Sequence, residues 1–177
     1  METVSKFEKH KTSLKAGQKA PDFCGTDQFG KNICLKDFAG KKIVLYFYPQ
    51  DDTPGCTTQS CNLRDNYNEM LKQGFVVLGV SADSVKSHIK FAKKFNLPFS
   101  LIADEKKEII SSYDVYGKKK FMGITFKGIV RTTFVIDEKG MIDGVIDNVD
   151  TANHSSQVTT LSHFDRLSVT MSLPAKE

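Results

Sequence analysis

Apolar positions along the chain switch between two spacings, and the switches mark out the elements. Residues 43–48 (Ile-Val-Leu-Tyr-Phe-Tyr) form an unbroken run of β-branched and aromatic side chains, the pattern of a strand covered on both faces, and Pro49 ends it. A helix is predicted over 54–73, closed by Gly74, followed by a second buried strand over 75–80. Val85, Ile89, Ala92 and Phe95 recur at helical spacing within 84–95, and Leu97-Pro98 breaks that helix before a short strand at 99–102. A further helix is predicted over 106–113. Strands over 128–136 and 141–146 flank a loop at 137–140 and read as an antiparallel pair. Upstream, the segment 22–35 surrounds the turn-forming Gln28-Phe29-Gly30-Lys31 and reads as a hairpin. From His154, the positions Val158, Leu161, Phe164 and Leu167 repeat as a last helix.

Strands alternating with helices imply an α/β fold, one central mixed β-sheet flanked by helices, with an N-terminal β-hairpin. No repeat or linker divides the 177 residues, so one domain is expected over 14–168, between a polar lead-in at 1–13 and a polar tail at 169–177.

Charge and composition narrow the class. The net charge of +4 comes from 25 basic and 21 acidic residues spread along the chain, which argues against nucleic acid as a partner. No apolar run approaches a membrane span, and the Lys- and Glu-bearing N-terminus lacks a secretory segment, so a cytoplasmic protein is expected. In a reducing compartment Cys24, Cys34, Cys56 and Cys61 should form no static disulfide framework, and any disulfide should belong to a catalytic cycle. Cys24 and Cys34 are expected to be packed strand cysteines. Their spacing and that of Cys56 and Cys61 miss the short pairs of structural zinc sites.

Residues 48–56 carry the chemistry. Thr53 suits an N-cap and Pro54 the first helical position, so Cys56 falls in the first turn, where free backbone N–H groups and the helix dipole favour a thiolate. A cysteine serving only as a small apolar filler has no reason to follow such a cap. Pro49, Thr53 and Cys56 match the P-x3-T-x2-C pattern, which resembles the peroxiredoxins. Residues 51–57 with Cys61, then 119–123, 128–131 and 151–154, resemble the bacterioferritin comigratory protein or peroxiredoxin Q branch.

That resemblance implies a thioredoxin-like fold and a thiol peroxidase. Cys56 would attack the peroxide, Cys61 would resolve the sulfenic acid as an intramolecular disulfide, and thioredoxin or a similar dithiol would reduce it, with no metal or organic cofactor. Arg131, expected on the strand 128–136, would stabilise the thiolate and the departing oxygen; Thr53 would hydrogen-bond the peroxide; Pro49 would shield the sulfur, although strand termination explains that proline equally well. The branch is expected to be monomeric. The stretch Lys118 to Lys120 is expected to be a solvated basic turn, and His88 an ordinary helix residue. Two rival readings are a disulfide oxidoreductase, whose C-x-x-C spacing is absent, and a metal-handling carrier using the cysteine pair and His154. If Cys56 and Cys61 share an unbroken helix, their Cα atoms lie about 8–9 Å apart. A disulfide needs under about 7 Å, so oxidation must unwind the first turns.

Overall fold

The computed structural model describes residues 7–170, with side chains described to Ser162. Residues 1–6 of the lead-in, residues 171–177 of the tail and the side chains of Phe164 and Leu167 lie outside the described residues.

The apolar run at 43–48 becomes β3 (Lys42–Phe47), every residue of which is buried. Period-two alternation sends Ile43, Leu45 and Phe47 to one face, and Val44, Tyr46 and, beyond the strand, Tyr48 to the other. β4 (Phe75–Ser81) and β5 (Ser100–Ala103) run parallel to it. β8 (Thr132–Ile136) and β9 (Ile142–Ile146) extend the other side antiparallel. β1 (Cys24–Asp27) and β2 (Asn32–Cys34) form the expected hairpin and complete a seven-stranded sheet in the order β2-β1-β5-β4-β3-β8-β9. One face packs α4 (Glu108–Ser112) through Ile109 and Ile110. The opposite face packs α1 (Pro54–Asp65), α2 (Tyr67–Lys72), α3 (Val85–Phe95) and α5 (His154–Thr170) through Leu63, Met70, Phe91 and Val158.

Four local expectations are corrected. The helix expected over 54–73 is two helices, broken at Asn66, whose φ of −107° and ψ of 6° leave the helical basin while its side chain donates to the Asn62 carbonyl at 2.9 Å. An amide that competes for a helix carbonyl in this way favours an end over a continuation. The strand expected over 128–136 is also two. Its first part lies in β7 (Ile124–Ile129), which pairs with β6 (Tyr116–Phe121) in a separate two-stranded arm, and Arg131 occupies the break before β8 rather than a strand. Lys118 to Lys120 are thus strand residues, not a turn.

Finally, Cys24 and Cys34 are not independent packed cysteines but are disulfide-bonded to each other, with Cα atoms 4.0 Å apart. The Leu35 amide donates to the Phe23 carbonyl at 3.0 Å, so the facing pair 24/34 is of the non-hydrogen-bonded type, in which side chains approach most closely.

Candidate active site

Between β3 and α1 the chain makes a loop held by one buried carboxylate. Asp51 is 8% exposed; its oxygens accept from Tyr48 Oη (2.6 Å), Ser87 Oγ (2.8 Å) and His88 Nδ1 (2.7 Å), and its amide donates to Asp83 Oδ2 (2.8 Å). His88 is wholly buried, and its Nε2 faces the Ile102 carbonyl at 3.2 Å. Both ring nitrogens therefore meet acceptors. Ligand atoms of Asp51, Asp83 and His88 lie within 4.8 Å of one another, the spacing of a metal site, but each already has a hydrogen-bond partner in the protein. This cluster is a brace that fixes the loop to α3 and β5. His88 does lie on a helix, as expected, yet its role is tertiary.

The brace delivers α1 in a defined direction. Thr53 is the N-cap residue and Pro54 opens the helix, with the Thr57 amide donating to the Thr53 carbonyl at 2.8 Å. The Thr53 hydroxyl makes no capping bond; it donates to the Gln50 carbonyl at 3.0 Å. Cys56 follows in the first turn with no exposed surface, its thiol free of any disulfide. Arg131 Nη2 lies 3.3 Å from Cys56 Sγ, and Nη1 donates to Gln59 Oε1 at 2.7 Å. The break between β7 and β8 thus brings the guanidinium over the helix N-terminus, and Gln59, one turn after Cys56, holds it there. Gln59 Nε2, buried, has no protein partner.

Gly55 makes room for this contact, since a Cβ built there would stand 3.1 Å from Arg131 Nη2. A second cation approaches on β6. Half-buried Lys119 has its pKa lowered by burial and by the nearby Arg131 charge, while Cys56 pulls it the other way. Sequence reasoning missed Lys119 and Gln59. The i, i+3 spacing from Cys56 to Gln59 was the available sign for Gln59, and the Met122-Gly123 turn after Phe121 for Lys119.

Cys61, half-buried and also a free thiol, lies five positions along the same unbroken α1. Its neighbour Asn62 straps α1 to the start of α5: Nδ2 donates to the Ala152 carbonyl (2.9 Å), and Oδ1 accepts from the Ser155 amide (2.8 Å). Pro49 stands at the end of β3, partly exposed. His154 is buried, its Nε2 paired with Thr133 Oγ1 (2.8 Å) and its Nδ1 with Gln157 Oε1 (2.9 Å). Neither nitrogen is left for a metal, which removes the observation a carrier would need.

Comparison with known proteins agrees with this geometry. Residues 16–145 match the AhpC/TSA family. A putative peroxiredoxin bcp of Coxiella burnetii is 47% identical over 146 residues, 82% of this chain and 97% of the relative. Peroxiredoxin Bcp of Escherichia coli K12 is 46% identical over 145 residues, 82% of this chain and 93% of the relative. Peroxiredoxin Q of Xanthomonas campestris superposes with a TM-score of 0.76 at 33% identity, covering 84% of this chain and 97% of that one. The chain belongs to the AhpC/TSA family and is a thiol peroxidase of the peroxiredoxin class with a thioredoxin-like fold. Within that class its relatives are the bacterioferritin comigratory proteins, or peroxiredoxins Q.

Proposed function

We propose that Cys56 is the sulfur that meets peroxide and Cys61 the one that resolves it. The observation that carries this is the 3.3 Å approach of the Arg131 guanidinium to Cys56 Sγ at the first turn of α1. A cation and unpaired helix amides together favour the thiolate, the form that attacks an O–O bond. The sulfur takes the distal oxygen, the O–O bond breaks, and the departing alkoxide or hydroxide leaves as alcohol or water after gaining a proton. Arg131 faces the charge as it moves from sulfur to oxygen, an interaction strongest in the transition state. Gln59 Nε2 offers a further donor on the same helix face.

Cys61 then condenses with the Cys56 sulfenic acid, releasing water and forming the disulfide. A dithiol reductant, which we take to be thioredoxin, cleaves that disulfide and is itself oxidised. Thr53 and Pro49 complete the reading as the hydroxyl over the sulfur and the apolar shield. For Thr53 this requires the hydroxyl to exchange its Gln50 contact for the peroxide. Because Cys56 has no exposed surface, peroxide enters when the groups over it yield. The reading takes the protein to act as a single chain in the cytoplasm, and among the described residues no helix is long and apolar enough to cross a membrane.

The test is turnover of hydrogen peroxide and alkyl hydroperoxides with thioredoxin, its reductase and NADPH. Cys56→Ser should abolish it. Cys61→Ser should leave a sulfenic acid that over-oxidises, with turnover only where an external thiol resolves it. Full activity in Cys56→Ser would end the proposal.

A further inference from the structure

The hairpin at the sheet edge holds a disulfide, Cys24–Cys34, that lies outside the Cys56–Cys61 cycle proposed above. Three strand steps separate β1 from β3 in the sheet order, about 14 Å at about 4.8 Å per strand, and Cys56 follows β3. The two bonded sulfurs differ in surroundings. Cys24 is exposed, whereas Cys34 is 6% exposed and has Asn32 Nδ2 3.7 Å from its sulfur. Both cysteines line a cavity of about 380 Å³ together with Asp22, Phe23 and Lys36.

Thiol–disulfide exchange needs one sulfur that a thiolate can reach and another that can leave as an anion. Cys24 meets the first condition. Cys34 meets the second, because the Asn32 amide stands beside its sulfur and supports a leaving thiolate, while Lys36 and Asp22, of opposite charge, both line the same cavity.

We propose that Cys24–Cys34 is a second thiol–disulfide couple, exchanging with a dithiol protein of the thioredoxin type that attacks at Cys24. The choice of reductant rests on the reading of the peroxide site. The reductant's thiolate bonds to Cys24 Sγ while the Cys24–Cys34 bond breaks, and Cys34 leaves and takes a proton. The reductant's second thiol then displaces Cys24, so the reductant ends as a disulfide and the hairpin as two thiols. The reverse exchange with oxidised carrier restores the bond, so no further oxidant is required. One pair of cysteines is then turned over by peroxide, and the other follows the redox state of the carrier.

The test uses the full chain carrying Cys56→Ser and Cys61→Ser, with catalytic thioredoxin, its reductase and NADPH. One NADPH oxidised per chain, with maleimide labelling of both Cys24 and Cys34, is expected; labelling of the same two residues in the native chain guards against a folding defect in the variant. A bond that opens only after the chain is unfolded would make it a fixed cross-link and overturn the proposal. A thioredoxin whose second active-site cysteine is replaced by serine should be trapped on Cys24 with Cys34 free. Linkage to Cys34, or none, would contradict the assignment. If the native chain turns over peroxide with the same thioredoxin while the hairpin bond stays closed, this inference fails and the peroxide reading stands. If the native chain shows no turnover, graded ratios of reduced to oxidised dithiothreitol decide the couple alone, by whether both thiols appear in the folded chain.

Discussion

Around Cys56 the decisive distances depend on side chains with little freedom to relocate. Arg131 bonds Gln59 through one nitrogen and faces the sulfur through the other, so its position is set from two sides. Arg131→Ala should lower the second-order rate with peroxide about 10- to 100-fold, the equivalent of roughly 1–3 kcal/mol for a charge-assisted contact. Stopped-flow reaction with hydrogen peroxide reads it, and an unchanged rate removes Arg131 from the site. Gly55→Ala tests the same contact without deleting it. A methyl 3.1 Å from Nη2 pushes the guanidinium by a few tenths of an ångström, so the rate should fall severalfold while stability is kept. Of the candidate site residues, the placement of Cys56 in the first turn of α1 was legible because the Thr-Pro-Gly cap and the buried strand before it are local patterns. Gln59, Lys119 and the Asp51–His88 brace were less so; the brace joins residues 37 positions apart, a pairing that no local spacing encodes.

Strands β3 and β4 could be read directly because both faces of the sheet are covered and nearly every residue is apolar. The β6–β7 arm could not. Its residues are mostly exposed, with Phe121, Met122 and Ile124 open to solvent, so no buried face marks the alternation. The Cys24–Cys34 pairing was within reach, since a turn centred on Phe29 puts 24 opposite 34, but the expectation of a reducing compartment outweighed the register. On α1, the geometry requires unwinding before Cys56 and Cys61 can bond. The Asn62 strap to Ala152 and Ser155 and buried Leu63 set the far limit of that unwinding. Amide exchange should accelerate between Pro54 and Cys61 in the disulfide form and remain slow beyond Leu63. Equal protection of the first two turns in both redox forms would contradict a helix-to-loop change.

For the molecule as a whole, pH acts through His154, which joins α5 to β8. Burial lowers its pKa and outweighs the Gln157 hydrogen bond, which raises it; the Arg131 charge adds a smaller lowering and Asp150 a still smaller opposition. The folded chain therefore prefers the neutral ring more than the unfolded chain does. Stability is full above the unfolded value of about 6.5 and falls as pH drops from there toward the depressed folded value. Urea unfolding between pH 8 and 5 should show this loss, and a folded His154→Gln variant should show less of it; an identical pH profile would clear His154.

The central claim is that one sulfur, Cys56, takes the oxygen and one, Cys61, resolves it. The most direct measurement treats the chain, with Cys56 and Cys61 reduced, with a single equivalent of hydrogen peroxide, alkylates the remaining thiols within milliseconds to seconds and maps every cysteine by mass spectrometry. The account predicts loss of alkylation at Cys56 and Cys61 together, a disulfide peptide joining them, and no such peptide in Cys56→Ser. Full alkylation of Cys56 after the peroxide has been consumed would contradict it.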